Sequence, residues 1–355
     1  MLEVHGLTED ELKAWFVEHG EKPFRASQIL KWVYQKGCSE WESMTDLNKD
    51  LRSKLSEDFT VSALKLERTQ VSSDKETVKF LWKLSDGKLV ESVLIYSDSR
   101  RTVCVSSQVG CPAHCAFCAS GKEGLIRNLT AAEIVEQVYQ IDKWLKEKNE
   151  RVSHIVYMGM GEPFENYEAV IKSVRFLTDP NRLGFSQRRI TISTVGIVSG
   201  IRRLAEEGLK VNLVLSHHAP NQRIMQKIIP YARKYGLDEI LSSMLFFADK
   251  TGRDITYEYT LIAGINDRTE HAKELASLLA NQQCTVNLIP YNPVMGLKLR
   301  RPDKEHIENF REILSEAGIV TTWRYTKGKD IAAACGQLAL QETKIAPSLS
   351  IARNL

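Results

Sequence analysis

The chain has 355 residues, of which 43% are hydrophobic and 26% charged, and its net charge at pH 7 is +3. This composition predicts an ordinary soluble protein with a full-sized core and a smaller appended module. Seven cysteines, three of them tightly grouped, and the lack of a signal-peptide pattern argue against a disulfide framework and favour the cytoplasm. No apolar run approaches a membrane span, and the charge is too small to demonstrate a polyanionic partner.

Residues 1–60 are predicted to form a small helical module that begins with a capping box at Thr8-Glu9-Asp10-Glu11. Basic and aromatic residues are interleaved along it: Lys22, Phe24, Arg25, Lys31, Trp32, Tyr34, Lys36, Trp41, Lys49, Arg52 and Lys54. Such a mixture can hold phosphates and stack on bases, which makes the module a candidate RNA-binding surface. A solvated basic face over an aromatic mini-core would give the same pattern.

Residues 61–98 are predicted to form a β-hairpin extension that links this module to the remainder. The residues from Thr77 to Tyr96 alternate as in two antiparallel strands, with a turn at Ser85-Asp86-Gly87. Glu91 lies on the second strand.

Residues 99–330 alternate short apolar runs with helical stretches, which is the pattern of βα units around a parallel sheet. The six predicted strands are 102–106, 154–158, 189–193, 211–216, 256–262 and 285–289. The predicted helices lie near 130–148, 167–177, 198–207, 237–247, 270–279 and 304–317. Six units predict an α/β fold with an incomplete (β/α)6 barrel, whose reactive groups belong at the carboxyl ends of the strands.

Cys111, Cys115 and Cys118 follow the first of these strands, in the segment Gly110-Cys111-Pro112-Ala113-His114-Cys115-Ala116-Phe117-Cys118. Thiolates are the usual ligands of iron–sulfur clusters, and a four-iron cluster normally takes four. Three ligands leave one iron open to bind and cleave a small molecule, whereas an electron carrier would be expected to supply a fourth cysteine nearby. A zinc site or a chance grouping of buried thiols is the alternative.

The ends of later strands carry groups that suit a small polar ligand. Gly159-Met160-Gly161-Glu162 combines glycines, which let the backbone approach a ligand, with a carboxylate that can accept a hydrogen bond from an amine. Ser193, Ser216 and Asn292 could bind a ribose or an adenine edge. A tight turn and ordinary helix caps are the alternatives.

Four segments then occur together in order: the cysteine loop, Gly159-Met160-Gly161-Glu162-Pro163, Arg188-Arg189-Ile190-Thr191-Ile192-Ser193-Thr194-Val195-Gly196, and Asp330 to Leu338 with Ala334-Cys335-Gly336-Gln337-Leu338. With them the chain resembles the RlmN and Cfr family of radical S-adenosylmethionine (radical-SAM) RNA methyltransferases, and within it the RlmN branch, which methylates C2 of adenosine in ribosomal and transfer RNA. The resemblance runs from the amino-terminal module to about Leu340.

The resemblance implies two cofactors, a [4Fe-4S] cluster on Cys111, Cys115 and Cys118 and S-adenosylmethionine beside it. The residues that it places around S-adenosylmethionine are Gly161, Glu162, Ser193, Ser216, His218 and Asn292, which His217 adjoins.

The resemblance also implies the reaction. The family cysteine that matches Cys335 receives a methyl group from one S-adenosylmethionine, and a second is cleaved to a 5′-deoxyadenosyl radical that abstracts hydrogen from that methyl. Cys104 matches the cysteine that releases the product by forming a disulfide with the Cys335 position, and Glu91 matches the proposed proton acceptor. A radical route suits adenine C2, because that carbon is not nucleophilic enough for direct methyl transfer.

The implied partners are ribosomal and transfer RNA and a flavodoxin- or ferredoxin-like electron donor, and a monomer is expected. The target base must be splayed out of its stack to reach a buried radical. A second set of basic residues extends the candidate RNA surface: Lys298, Arg300, Arg301, Arg324, Lys327 and Lys329. Residues 331–355 are predicted to form a carboxy-terminal segment with the reactive cysteine loop and a polar tail.

The chain departs from the family pattern at Ser216-His217-His218-Ala219-Pro220, where relatives commonly read Ser-Leu-His-Ala-Pro, and at Met225 and Ala232. We interpret His217 as a surface substitution and expect activity to be kept. Two other functions stay open. One is that of the C8-methylating sibling, against which Pro163 argues. The other is a non-catalytic iron–sulfur RNA-binding factor, against which the pair of Cys104 and Cys335 argues.

Overall fold

The amino-terminal part of the computed structural model is helical. The model describes residues 1–122, 124–323 and 327–338. Its first elements are β1 (Leu2–Glu3), α1 (Glu9–Glu18), α2 (Arg25–Leu30), α3 (Lys49–Asp58) and β2 (Phe59–Thr60). The predicted capping box of α1 is confirmed, because the Thr8 hydroxyl accepts from the Glu11 N–H at 3.1 Å and the Glu11 carboxylate accepts from the Thr8 N–H at 2.6 Å.

One ten-stranded sheet forms the body of the protein. The remaining strands are β3 (Lys65–Val71), β4 (Thr77–Lys83), β5 (Leu89–Ser97), β6 (Arg100–Cys104), β7 (Gln108–Gly110), β8 (Leu125–Asn128), β9 (His154–Tyr157), β10 (Ile190–Thr194), β11 (Asn212–Ser216), β12 (Ile255–Leu261), β13 (Cys284–Pro290) and β14 (Val320–Trp323). The sheet order is β14-β13-β12-β11-β10-β9-β6-β5-β4-β3, with β7 and β8 as a separate ribbon. Strands β6 and β9 to β14 are parallel, and β3 to β6 pair antiparallel.

Helices connect the parallel strands, as a βα architecture requires. They are α4 (Ala131–Lys146), α5 (Tyr167–Thr178), α6 (Val198–Glu206), α7 (Gln222–Ile228), α8 (Leu237–Thr251), α9 (Thr269–Leu278) and α10 (Lys304–Glu316). Among the described residues, no helix combines the length and the apolar character needed to cross a membrane.

The predicted fold class is confirmed, since all six predicted parallel strands and all six predicted helices are present. The structure adds two strands at the sheet edges, β3 and β14. Neither has an alternating apolar pattern, because edge strands are largely exposed. The short helix α7 was also not predicted. We keep the division of the chain at residues 60, 98 and 330 as a proposal.

The amino-terminal helices share a buried polar contact with the barrel. Nδ1 of His5 lies 2.9 Å from the hydroxyl of Tyr34, which also accepts from Arg182 at 3.0 Å. Tyr139 on α4 donates to the carbonyl of Val33 at 2.9 Å. Tyr34 is 3% exposed and Trp41 is 6% exposed, so the prediction that they stack on RNA bases is wrong. Both belong to an aromatic mini-core.

Candidate active site

Two adjoining cavities lie at the carboxyl ends of the parallel strands, where the barrel architecture leads us to expect them. The first has a volume of about 130 Å³ and the second about 330 Å³. Predicted site residues that line the first are Cys111, Cys115, Cys118, Gly161, Glu162, Ser193, Ser216, His218, Asn292 and Cys335. Those that line the second are Cys104, Cys118, Asn292 and Cys335. Among the described residues, Glu91 and His217 line neither cavity.

The cysteine loop owes its shape to local backbone geometry. At Gly110, φ is +77°, and a Cβ there would lie 2.0 Å from the carbonyl oxygen of Gly124, so only glycine fits. His114 has φ +51°, and its Nδ1 lies 2.9 Å from the carbonyl oxygen of Gly121. The N–H of Cys118 donates to the carbonyl of Cys115 at 3.1 Å. These turns bring the three thiols to the wall of one cavity.

Burial controls the protonation of these thiols. It raises the pKa of Cys111 to about 12 and that of Cys115 well above the ordinary value, and the neighbouring thiols reinforce both shifts. Burial also raises the pKa of Cys118. Bound iron would therefore have to displace the thiol protons. Within the described part of the chain, no three His, Cys, Asp or Glu side chains converge on a single-ion site. Three thiols around one cavity fit a cubane, which takes its ligands at separate iron corners.

The glycines after β9 are required by the protein's own backbone. A Cβ on Gly159 would lie 2.6 Å from the carbonyl oxygen of Val105. Gly161 has φ +109°, and its Cβ would lie 2.7 Å from Cβ of Gln108. Both glycines thus let this turn pack against the segment after β6, and Glu162 then projects into the first cavity.

Glu162 is a buried carboxylate with backbone donors on both oxygens. Its Oε2 accepts from the N–H of Val195 at 2.9 Å and its Oε1 from the N–H of Phe164 at 3.0 Å. Burial nevertheless raises the pKa of Glu162 to about 7, because desolvation outweighs these hydrogen bonds. The Thr194 side chain is a third donor to this carboxylate. Two carboxylate oxygens offer about four acceptor positions, so the group can still accept from an amine.

Two serines and a histidine form another part of the wall of the first cavity. The hydroxyls of Ser193 on β10 and Ser216 on β11 lie 3.0 Å apart. Nδ1 of His218 accepts from the N–H of Thr260 at 2.9 Å, which leaves the proton of the neutral ring on Nε2 as a donor. Burial lowers the pKa of His218 to about 3, with a further contribution from His217.

His217 is fully buried, so its interpretation as a surface substitution is wrong. Its ring packs 5.7 Å from the ring of Tyr257, and burial lowers its pKa to about 4. Neither ring nitrogen has a hydrogen-bond partner among the described residues. The N–H groups of His217 and His218 both donate to the carbonyl of Glu258 at 3.1 Å, and His218 has φ +51°. His217 lies in the core while His218 lines the first cavity.

Cys335 is exposed on a loop, residues 327–338, that several distant segments hold. Nδ2 of Asn292 donates to the carbonyl of Cys335 at 3.1 Å. From the cysteine loop, the N–H of Ala119 donates to the carbonyl of Gly336 at 2.8 Å, and the hydroxyl of Ser120 donates to that of Leu338 at 2.5 Å. Oδ1 of Asn292 is buried and has no hydrogen-bond partner within the described ranges, so a bound cofactor could satisfy it. Its contact with Cys335 was not predicted.

Cys104 and Glu91 lie on neighbouring strands beside this loop. Cys104 ends β6 opposite Val93 of β5, and Glu91 is two residues before Val93. Oε1 of Glu91 lies 3.1 Å from Nζ of Lys79 on β4. Lys79 was not among the predicted site residues, although a lysine between the apolar residues Val78 and Phe80 was a usable signal.

Known proteins match this chain over most of its length. The family profiles that match are the ribosomal RNA large subunit methyltransferase N-terminal domain, over residues 2–61, and the radical SAM superfamily, over 105–276. A radical SAM methyltransferase from Sphaerobacter thermophilus superimposes with a TM-score of 0.93 at 42% identity, covering 95% of this chain and 99% of that one. The fold and the cysteine site therefore define a radical-SAM enzyme.

Two similar proteins indicate the family within this class of enzymes. A probable dual-specificity RNA methyltransferase RlmN 2 of Protochlamydia amoebophila is 63% identical over 94% of this chain and 93% of its own length. A probable dual-specificity RNA methyltransferase RlmN of Geobacillus kaustophilus is 45% identical over 96% and 93%. The chain belongs to the RlmN family of radical-SAM RNA methyltransferases.

Proposed function

We propose that this protein methylates C2 of adenosine in large-subunit ribosomal RNA and in transfer RNA, through a methylated Cys335. The observation that carries the proposal is the position of Cys335, which borders both the cavity of the cluster cysteines and the cavity of Cys104. A thiol in that place can take a group from one cavity and present it in the other. The dual specificity in the names of the relatives supports two RNA substrates.

The first cavity would hold the cofactors. Cys111, Cys115 and Cys118 would hold the [4Fe-4S] cluster, with S-adenosylmethionine beside it. When bound, these groups supply the methyl group and the radical chemistry that an unactivated ring carbon needs. Glu162 would accept from the amine of S-adenosylmethionine.

The other polar groups of the wall would bind the remainder of S-adenosylmethionine. The hydroxyls of Ser193 and Ser216, the Nε2–H of His218 and the Oδ1 of Asn292 would bind ribose and adenine. Gly161 would bring backbone close to the cofactor. His217, behind this wall, would contribute through packing.

The second cavity would hold the adenine. Cys104 would attack the sulfur of Cys335 as a thiolate, so that a disulfide forms as the bond between that sulfur and the methylene carbon breaks. The electron pair of the broken bond would stay on the carbon and take up a proton from solvent, which completes the methyl group of the base. Glu91 would accept the proton that leaves adenine C2.

The RNA has to reach this cavity with its target base unstacked. The candidate surface keeps the exposed residues Lys22, Phe24, Lys31 and Lys36 and the partly exposed Trp32. In the second basic set, Lys327 pairs with Glu76 at 3.1 Å, and Arg324 lies outside the described residues. A flavodoxin- or ferredoxin-like electron donor, a monomeric state and a cytoplasmic location complete the proposal.

The test is anaerobic incubation of cluster-reconstituted protein with S-adenosylmethionine, a reductant and unmodified ribosomal or transfer RNA. Nucleosides from nuclease digestion are then compared by mass spectrometry with 2-methyl- and 8-methyladenosine standards. We expect 2-methyladenosine in both RNAs. Finding 8-methyladenosine would assign the sibling reaction instead, and RNA binding without S-adenosylmethionine consumption would indicate a non-catalytic factor.

A further inference from the structure

We propose that Lys79 is a positioning residue that holds the Glu91 carboxylate ionised, on the Cys104 side of the sheet and under the Cys335 loop. The inference rests on the proposed function, since it takes Glu91 as the proton acceptor. It assigns a role to a residue that no motif of the sequence identified.

Strand register places the three side chains on one face. Lys79 of β4 is paired with Val93 of β5, and Val93 is paired with Cys104 of β6. Directly paired residues project to the same side of a sheet, and so do residues two apart on a strand. Lys79, Glu91 and Cys104 therefore share the face that the Cys335 loop covers.

The pair is buried as well as close. Lys79 is 8% exposed and Glu91 is 4% exposed, and Nζ lies 3.1 Å from Oε1. A carboxylate removed from water stays charged only if a nearby cation or hydrogen-bond donors compensate the lost hydration. Without the Lys79 ammonium, Glu91 would tend to take up a proton, and a protonated carboxyl cannot accept another.

A third contact links the pair to the reactive loop. Nζ of Lys79 also donates to the carbonyl of Ala332 at 3.4 Å, three residues before Cys335. Ala332 has φ +50°, an uncommon conformation for alanine. The same end of the loop is held by Asp330, whose carboxylate accepts from the N–H of Ser73 at 2.7 Å. Lys79 thus contacts both the proposed acceptor and the loop of the proposed methyl carrier.

The chain offers a matched control on the same strand. Lys83 lies four residues after Lys79, so its side chain is on the same face of β4, but it is exposed. Lys83→Met removes the same charge by the same substitution without touching the buried pair.

The experiment is a double-mutant cycle on the cluster-reconstituted full chain with transfer RNA. The variants are Lys79→Met, Lys79→Arg, Lys83→Met, Glu91→Gln and Lys79→Met with Glu91→Gln. Three quantities are measured in each: methylated Cys335 by peptide mass spectrometry, covalent protein–RNA adduct on denaturing gels, and methyladenosine. Thermal melting checks the fold, and the double variant removes both charges together, which keeps the test valid if Lys79→Met alone does not fold.

We expect Lys79→Met to lower methyladenosine by at least about tenfold and to raise the covalent adduct, with methylated Cys335 within about twofold of wild type. Lys79→Arg should recover most of the product, and Lys83→Met should not differ from wild type. Because Lys79 acts through Glu91, adding Lys79→Met to Glu91→Gln should cost no more than about twofold.

Two results would overturn the assignment directly: unchanged methyladenosine in Lys79→Met, or additive losses in the double variant. A parallel loss of methylated Cys335 and methyladenosine would also overturn it, because Lys79 would then only hold the loop in place. The wild-type arm separates the two proposals. Wild type without methyladenosine overturns both, whereas normal wild-type product with an unaffected Lys79→Met overturns only the role of Lys79.

Discussion

The two cavities of the active site are built in different ways. The first is lined mainly by residues at or just after the ends of parallel strands, and its cysteine loop combines near contacts, such as Cys118 with Cys115, with a bond from Ala116 to the carbonyl of Ile228. The second is closed mainly by contacts between distant parts of the chain, such as Lys79 with Ala332 across 253 positions and Ser120 with Leu338 across 218. Grouping three cysteines therefore depends mostly on a short stretch of chain, whereas bringing Cys335 and Cys104 beside them requires the complete fold.

The largest effect should come from the residue that both cavities share. Cys335→Ala removes the proposed methyl carrier, so we expect methyladenosine to fall below detection while iron and sulfide content stay at the wild-type level. Cys284→Ala is the matched control, because Cys284 is a buried cysteine at the start of β13. Normal methylation by Cys335→Ala would show that the shared thiol is not the carrier.

Loss of a side chain that lines the second cavity but not the first should block a later step of the proposed reaction, the release of the product. Cys104→Ala removes the thiol that is proposed to release the product, so a covalent adduct should accumulate in which the Cys335 sulfur is joined to the RNA through the former methyl carbon, while Cys335 methylation measured without RNA should not change. Denaturing gels and peptide mass spectrometry measure the two. An adduct-free variant with full product would mean that the second cavity has no part in release.

Asn292 tests how tightly the cavities are coupled, since it borders both and donates to the carbonyl of Cys335. Loss of one such buried hydrogen bond costs about 1–3 kcal/mol, or about five- to 150-fold in an equilibrium. We expect Asn292→Ala to weaken S-adenosylmethionine binding, measured by equilibrium dialysis, and to slow Cys335 methylation. Asn287→Ala on β13, the strand that precedes Asn292, is the control, and a loss in only one quantity would indicate uncoupled cavities.

The basic amino-terminal surface lies apart from both cavities and should affect RNA binding alone. Replacing Lys22, Lys31 and Lys36 by Gln removes up to three phosphate contacts, which should lower RNA affinity and reduce the salt slope by about 0.7 per contact to single-stranded RNA. Methylation of Cys335, measured without RNA, should not change. The control replaces the exposed residues Lys210, Lys250 and Lys304, and equal losses in the two triple variants would remove the assignment of this surface.

The smallest effect on activity should come from Glu136 on α4, which accepts from the backbone N–H groups of Ala63 and Leu64 at 2.8 and 3.2 Å. Burial raises the pKa of Glu136 to about 7 from an ordinary value of 4.5. Because the folded state binds this proton more tightly than the unfolded state, its contribution to stability is complete below pH 4.5 and is lost as the pH rises through 7. That loss is at most about 3 kcal/mol.

Glu136→Gln should therefore flatten the decrease of the melting temperature between about pH 5 and 8, measured by calorimetry against wild type. Glu162 titrates in the same range and is present in both proteins, so the difference reports Glu136. An unchanged dependence of the melting temperature on pH would contradict the raised pKa of Glu136. A change in methyladenosine formation would show that Glu136 also affects the two cavities.

The amino-acid sequence by itself determined the barrel and the grouping of three cysteines after the first parallel strand. Strand and helix periods are set by which side chains can be buried, and Cys111, Cys115 and Cys118 are close because the chain between them is short. The grouping of these three cysteines therefore depends little on distant parts of the chain.

Only the tertiary structure decided which side chains face the cavities. His217 and His218 are adjacent, yet one is in the core and the other on the cavity wall. Tyr34 and Trp41 are buried by packing against neighbouring elements, and the contacts of Lys79 with Glu91 and Ala332 require strands and a loop far apart in the chain. Whether a side chain is buried, and which distant residue it contacts, depends on helices and strands elsewhere in the chain. A local sequence pattern carries no information about those contacts, so the sequence could not predict them.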